Sequence, residues 1–492
     1  METDNQYVRD RMEKLRKWIE LGVNPFPYSY NKTHDSVDVV EKATTLEPGK
    51  ASKKFVSVAG RVMSIRVMGN ASFAHIQDKK GKVQIYFTKD ELGENYKPFS
   101  KLLETGDFVG VYGKVYKTNR GEPTVMATKM ELLSKGLRPL PEKFHGLTDA
   151  ELRYRQRYVD MFVNPEVKAV FETRAKILSA VREFLQGKGF IEAETPLLQP
   201  IYGGANARPF KTHINAWNFD MYLSISPETY LKRLLVGGFE KVYYLGKNFR
   251  NEGSDKTHNP EFTMMECYQA YGDYEDMMEI TEDLYEFVCM KVLGTTKVKY
   301  QDKTIDFKKP WKRLPMKEAI MKFADIDVDK LDDKELKTAM RNYNVEYEGD
   351  FSRDLAIELL FEELCEDKLV QPTFITEHPL GSTSLCKAKR NNPNVLERFE
   401  PFVNGWEIGN AYSELNDPIL QEKLFLEQEE KGRGGDDEFH PMDKDYVQAL
   451  QFGMPPAGGL GLGIDRMVML LTDSATIRDV ILFPTMKPKE DD

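Results

Sequence analysis

Cysteine is scarce, with Cys267, Cys289, Cys365 and Cys386 the only four in 492 residues. They are widely spaced and form no CxxC pair, so neither a zinc site nor a disulfide framework is expected, and a reducing cytoplasm is the expected location. No apolar run reaches the ~18 residues a membrane helix needs, which argues against a membrane partner. Met1 to Glu20 is charged throughout and has no apolar centre, so no secretory signal is expected. No internal repeat or low-complexity tract occurs. The phosphate-binding pattern GxxxxGK[ST] is absent, which excludes a Walker loop.

What is present is a chain 41% hydrophobic and 30% charged, with ample material for a buried core. Its length suits about three domain-sized units. The net charge of −10 alone argues against a nucleic-acid binder. Its distribution argues otherwise, because residues 51–150 carry 17 Lys and Arg against 10 Asp and Glu, leaving the rest acidic. A basic module beside an acidic one fits RNA at one end and a cationic substrate at the other, although ordinary surface variation gives such patterns too.

Val8, Met12, Leu15 and Ile19 recur at helical spacing before Gly22, which predicts a helix over 7–21. From Phe55 to Leu133 the period changes to two. Strands are expected at Phe55–Val62, Ser72–Gln77, Val83–Phe87, Phe108–Tyr116 and Thr124–Leu132, with a helical patch near Glu91–Leu103. Asp78-Lys79-Lys80-Gly81 reads as a hairpin turn. Five short strands with a helix between the third and fourth is the pattern of the OB-fold barrel. Such barrels bind single-stranded nucleic acid with stacking aromatics in a basic groove. Phe73 and Gln84 are candidate base contacts, with Arg66 close by, and spacing leaves open whether Phe73 belongs instead to the core.

Leu137-Arg138-Pro139-Leu140-Pro141 is a stiff linker. Glu166–Lys188 then reads as an amphipathic helix, with Val167, Val170, Phe171, Leu178, Val181 and Leu185 on or near one stripe and Phe184 at its edge. A strand, Phe190–Glu194, leads to Thr195-Pro196. Residues 316–370 read as a helical insertion without visible chemistry, and Lys431–Asp437 as a polar loop.

Three stretches carry candidate chemistry. Val242–Gly246 and Glu261–Tyr271 are strands flanking a long polar loop, and long loops between regular strands are often functional. Arg250 offers a fork of donors for phosphate or carboxylate, with Glu252 and His258 placed to clamp a nucleotide. Alternation puts Phe262, Met264, Glu266 and Tyr268 on one face, and an inward Glu266 is costly unless something partners it. Second, Gly458-Gly459-Leu460-Gly461-Leu462-Gly463 is a strand whose backbone a ligand could approach closely, turning into a helix near Ile464 and presenting Arg466. Third, Asn404-Gly405 predicts a two-residue hairpin turn pairing Val403 with Trp406. That register puts Glu400 and Glu407 diagonally on one face, as Mg²⁺ ligands or as a plain acidic surface. Asn410, Tyr412 and Glu414 share a face at spacing two, and a bulge or strong twist is needed to bring that face round to Glu407. Ser226-Pro227-Glu228 opens a helix ended by Gly237-Gly238, where Glu228 either favours the helix dipole or holds an ammonium group.

In chain order, the helix-plus-strand ending at Pro196, the hairpin Phe249–Glu266 and the run Gly461–Arg466 resemble motifs 1, 2 and 3 of the class II aminoacyl-tRNA synthetases. The HIGH and KMSKS signatures of class I are absent. Arg250-Asn251-Glu252-Gly253, Thr257–Thr263, Gly203-Gly204-Ala205, Asn410–Asp417 and Arg153–Tyr158 resemble the lysine branch of that class, over roughly residue 55 to the end. The resemblance implies an α+β protein: an N-terminal five-stranded OB-fold barrel and a class II catalytic domain built on an antiparallel β-sheet flanked by helices. The implied domains are an extension at 1–50, an anticodon-binding barrel at 51–136, a linker at 137–150 and a catalytic domain at 151–492 with a helical insertion at about 275–370.

The resemblance also implies roles. Arg250 and Arg466 would be catalytic. Arg250, Glu252, His258, Phe262 and Arg466 would bind ATP, and Glu400 and Glu407 would hold Mg²⁺. Gly204, Glu228, Glu266, Tyr268, Asn410, Tyr412 and Glu414 would form the lysine pocket. Arg66, Phe73, Gln84 and Glu122 would meet the anticodon of tRNA(Lys), and motif 1 would build a homodimer. An aspartate-specific relative would need a basic pocket. A protein-modifying lysine ligase would lack the barrel, and a catalytically dead paralogue would have lost Arg250, Glu266, Glu400, Glu407 or Arg466.

Overall fold

Alternating branched side chains close the first sheet on itself. In this computed structural model, which describes residues 5–140, 147–347, 351–433 and 441–489, the chain divides into two units, Met1–Gly146 and Leu147–Asp492. In the first unit, β1 (Ala51–Met68), β2 (Ala71–Gln77), β3 (Lys82–Thr88), β4 (Phe108–Lys117) and β5 (Pro123–Ser134) form a closed barrel in the order β1-β2-β3-β5-β4. Val58, Ile76, Ile85, Val111 and Val125 point inward, each at most 1% exposed. Short helices at Lys89–Leu92 and Tyr96–Leu102 separate β3 from β4, as the sequence pattern predicted.

Helix α1 (Gln6–Glu20) forms where expected, but its buried stripe is rotated. Ile19 is exposed, and Trp18 is buried instead, packed edge-on against Phe99. Arg11 sets this rotation, because its buried guanidinium donates to the carbonyls of Thr105 and Gly136. A second helix, α2 (Ser36–Thr44), was not anticipated and buries Val39 and Ala43.

The second unit is built on a nine-stranded sheet. Its strands are β6 (Ile191–Glu192), β7 (Lys241–Phe249), β8 (Glu261–Ala270), β9 (Lys312–Pro315), β10 (Thr373–Thr376), β11 (Arg398–Val403), β12 (Trp406–Glu407), β13 (Gly409–Ser413) and β14 (Ala457–Gly463). The order is β9-β10-β11-β13-β14-β8-β7-β6, with β12 paired to β11. The sheet is antiparallel except at its ends, where β9 runs parallel to β10 and β6 to β7. The strand expected over Phe190–Glu194 shortens to β6, since the chain turns away after Ala193 bonds to the Tyr243 carbonyl.

Helix α3 (Pro165–Gly187) starts on proline, which suits the first turn, and buries Val167, Ile177, Val181 and Leu185. It shares one core with α5 (Tyr274–Leu293), with Met265 and Cys267 of β8, and with Leu460 and Leu462 of β14. Helix α5, at the start of the stretch expected as an insertion, is thus part of the main core. Further on, helices Met316–Ala324, Asp333–Asn342 and α6 (Arg353–Cys365) form a separate apolar cluster against Ile375 and Phe402. Of the loop expected at Lys431–Asp437, the first three residues end the helix Pro418–Arg433, and 434–437 lie outside the described residues, as does Pro141 of the linker.

Candidate active site

One face of this sheet packs on α3 and α5, and the other is left to a cavity of about 370 Å³. Cavities of that size suit small ligands. Period-two alternation sorts β8: Met265 and Cys267 enter the core, while Phe262, Met264, Glu266 and Tyr268 line the cavity. Glycine makes the floor. In register, Gly461 lies between Glu266 and Asn410, and Gly459 between Tyr268 and Tyr412. A Cβ on Gly459 would collide with Glu414 Oε1 and the Tyr268 ring, so a larger residue would have to displace one of them.

The Asn404-Gly405 turn pairs Val403 with Trp406 and Phe402 with Glu407, in the predicted register, with φ of 57° and 77° at the turn. The expected irregularity follows it. Phe402 faces Glu407 and Phe399 faces Ala411, so three steps on β11 oppose four on the returning strand. This one-residue bulge at Ile408 restores Asn410 and Tyr412 to the face that holds Glu407.

The cavity has an acidic end. Glu228, at the start of α4 (Glu228–Val236), Glu266 and Glu414 are each 3% exposed or less. Glu266 accepts from the hydroxyls of Ser226 (2.8 Å) and Tyr268 (2.9 Å), and no cation among the described residues pairs with it. Burial, then the charge of Glu228, push its carboxyl up to about 8. Glu228 does hold an ammonium group, that of Lys232 one turn later, at 2.5 Å, and also accepts from the Tyr412 hydroxyl at 2.7 Å. Lys232 bonds Glu414 Oε2 as well, while Glu414 Oε1 is buried with no hydrogen-bond partner. Gly204, Glu266, Tyr268, Asn410, Tyr412 and Glu414, all expected in one pocket, do meet here.

The other end is cationic and open. Arg250 leaves β7 with its guanidinium 5.2 Å from the Phe262 ring centre, and its Nε is a buried donor without an acceptor. An anion would complete it. Arg466, on α7 (Ile464–Leu471), bonds the Glu407 carbonyl and lies 3.1 Å from His258 Nε2. His258 is held from behind by Asp255, at 2.8 Å. Glu252 lines the same wall. Glu400 accepts from Arg398 at 2.6 Å, yet burial, against the charge of Arg398 and helped by those of Glu407 and Glu358, raises its carboxyl to about 8. Two hard-oxygen ligands crowded into like charge fit a divalent cation that would relieve the repulsion. Among the described residues, no group of three or more His, Cys, Asp or Glu is arranged to hold a metal by itself.

Asp465 ties the three motifs together. Its carboxylate takes the Thr263 amide at 2.7 Å and pairs with Arg174 of α3 at 2.6 Å, so α3, β8 and the start of α7 share one anchor. A family model described as tRNA synthetases class II (D, K and N) matches residues 149–487. The chain belongs to this family. A second model, an OB-fold nucleic acid binding domain, matches residues 56–133. The synthetase is similar to the lysine–tRNA ligase of Pelotomaculum thermopropionicum, 53% identical over 490 residues, 99% of this chain and 96% of the relative. The corresponding ligase of Clostridium novyi is 52% identical, covering 98% and 95%, and that of Carboxydothermus hydrogenoformans 51%, covering 99% of each.

On the synthetase's barrel, Phe73 is not a core residue. It sits outside, paired with Arg66 on one side and Tyr86 on the other, with its ring 4.8 Å from that of Tyr86. Gln84 lies in the neighbouring row beside His75, its carbonyl taken by the Thr124 hydroxyl. Glu122 reaches His75 at 3.1 Å. Tyr86, Tyr116 and His75 join this face without having been singled out. Their signal was the same period-two alternation that marked Phe73. Ser226, Lys232, Arg398 and Asp465 were also missed, each being a polar residue whose role appears only when strands far apart in sequence pack together.

Proposed function

We infer that the synthetase activates L-lysine with ATP and transfers the lysyl group to the 3′ end of tRNA(Lys). The observation that carries this reading is the acidic end of the cavity. Glu414 Oε1 is a buried, unpartnered carboxylate oxygen that an ammonium group would complete. A neutral side chain would leave it orphaned, and an anionic one would be repelled.

The lining suits one orientation of the amino acid. Its side-chain ammonium meets Glu414 and Glu266, its α-ammonium sits by Gly204 and Glu228, and its carboxylate points to Arg250. Tyr268, Asn410 and Tyr412 fill the sides. ATP lies with adenine on Phe262 and its phosphates toward Arg250, Arg466 and His258, with Glu252 beside them. The lysine carboxylate oxygen attacks the α-phosphorus, the bond to the bridging oxygen breaks, and pyrophosphate leaves with that electron pair. Arg250 spans nucleophile and phosphate, so its donors hold both through the step. The terminal adenosine hydroxyl of the tRNA then attacks the lysyl carbonyl, and AMP leaves. Glu400 and Glu407 would hold Mg²⁺, which when bound neutralises phosphate charge.

We read 51–136 as the anticodon-binding domain, with Arg66, Phe73, Gln84 and Glu122 on its contact face, and 151–492 as the catalytic domain. We read motif 1 as the homodimer surface, with exposed Ile191 within it and exposed Leu198, Trp217 and Phe219 just past it as apolar side chains for a second copy of the chain. Four buried free cysteines accord with the reducing cytoplasm. The test is amino-acid-dependent ATP–pyrophosphate exchange with each of the twenty amino acids. Lysine alone should support exchange. Exchange with another amino acid and none with lysine would reassign the substrate, and silence with all twenty would leave an RNA-binding protein without catalysis.

A further inference from the structure

Behind the wall of the pocket, and not part of its lining, lies Lys232, with 0% of its surface exposed. A lysine so buried is costly unless its charge is fully met. It is met twice. Nζ is 2.5 Å from Glu228 Oε1 and in contact with Glu414 Oε2, and it stands 5.5 Å from the Tyr412 ring. Burial opposes the charge, but the two carboxylates outweigh it and hold the ammonium well above its usual pKa.

We propose that Lys232 is a specificity-determining positioning residue: a resident ammonium that bridges Glu228 and Glu414, offsets one of the pocket's carboxylates and aims Glu414 Oε1 into the pocket, so that charge balance is reached by a substrate bearing two ammonium groups. This deepens the lysine reading and rests on it. Three carboxylates surround the acidic end, and Lys232 cancels one. Once an entering ammonium displaces the proton that burial holds on Glu266, two negative charges remain. L-lysine supplies two ammonium groups, while its carboxylate is matched by Arg250, so the filled pocket is neutral. An amino acid with an uncharged side chain would leave one buried carboxylate uncompensated, and binding it would require a proton instead. Facing the three carboxylates are also Tyr244, Tyr268, Tyr412 and Tyr446, with Cys386 behind Glu414 and Arg250 at the far end. Burial or the carboxylates hold those tyrosines and the thiol neutral, which leaves Lys232 and Arg250 as the cations aimed at the three carboxylates, since Arg398, near Cys386, is turned to Glu400 and Asn410 and Arg233, near Tyr446, to Asp443 and Asp445.

Lys232→Met removes the charge at nearly the same volume. Carboxylates deprived of their cation take up protons, so the lysine KM in pyrophosphate exchange should rise about tenfold or more, with the ATP KM within about twofold. The lysine defect should shrink as pH is raised from about 7 to about 8.5, where those protons leave. A merely structural role would raise both KM values together, without relief at higher pH. Lys232→Arg keeps the charge and should hold the lysine KM within roughly threefold.

A folded Lys232→Met with lysine KM within about twofold of wild type overturns the proposal. Should that variant not fold, Lys232→Arg decides: unchanged ATP KM with a lysine KM raised about tenfold would exclude the charge role. Failure of both to fold would overturn it as well, by making Lys232 a requirement of folding and not of substrate choice. Absence of lysine-dependent exchange in the unaltered protein would instead overturn the lysine reading, a separate outcome.

Discussion

At the acidic end of the cavity, Glu266 is held up to about 8, against an ordinary carboxyl value of 4.5, because it is buried near Glu228. Between those two values the folded protein binds a proton that the unfolded chain releases. The corresponding stability is fully present below the ordinary value and is lost as pH rises through about 8. Glu366 and Glu400 shift the same way, through burial and neighbouring carboxylates. The melting temperature of the free protein should therefore fall between about pH 6 and pH 8.5, and Glu266→Gln should lessen the fall. Lysine competes with the proton at Glu266, so the rise in melting temperature it causes should be larger at about pH 8.5 than at about pH 6.5. Scanning calorimetry with and without lysine measures this, and equal increments at the two pH values would contradict it. Glu266 was legible in the sequence because alternation from Phe262 leaves it no other face. Lys232 was not. A lysine four residues after Glu228 carries no signal of burial, since such pairs are ordinary on exposed helices. Only the packing of Glu414 and Tyr412 from a distant strand turns that pair inward.

Elements follow the same division. The barrel strands, α3 and the paired strands β7 and β8 were legible because their periods are unbroken over many residues. The rotation of α1 was not, because a buried Arg11 and Trp18 outweigh the apolar stripe. Nor was the length of β6, which is set by where its neighbour ends. The bulge at Ile408 was foreseen as a necessity without its position, since only the pairing of Phe399 with Ala411 fixes it. In strand β14 the site explains the glycines at 459, 461 and 463, which line the cavity. Gly459 carries the sharpest consequence, for a Cβ there would meet Glu414 Oε1 and Tyr268. Gly459→Ala should displace one of these side chains at a cost of about 1–3 kcal/mol. The lysine KM should then rise about tenfold, with the ATP KM within about twofold, because Phe262 and Arg466 lie at the other end of the cavity. Steady-state exchange kinetics separate the two constants, and an ATP KM that rose as much as the lysine KM would count against the assigned orientation.

The whole molecule separates its two tasks by unit and by charge. The first unit closes its core inside a barrel, so every aromatic on the outer rows of β2 and β3 is free of a packing duty. Phe73 and Tyr86 stack there, with Arg66 exposed in the same row and Tyr116 6.4 Å beyond Tyr86. The cavity on the nine-stranded sheet is lined entirely by residues of the second unit. Activation and RNA capture should therefore be separable by mutation. Phe73→Ala removes an outer ring and no core contact, so it should leave the melting temperature and lysine-dependent pyrophosphate exchange unchanged. A base stacked on an aromatic contributes about 1–3 kcal/mol, so the tRNA KM in aminoacylation should rise by roughly one to two orders of magnitude. Tyr86→Ala should act in the same direction, and the double variant should lose less than the sum, since the two rings touch. Parallel exchange and aminoacylation assays on the three variants check this. A tRNA KM within about twofold of wild type in the double variant would move the RNA contact off this face of the barrel. Loss of pyrophosphate exchange would instead overturn the separation of activation from RNA capture.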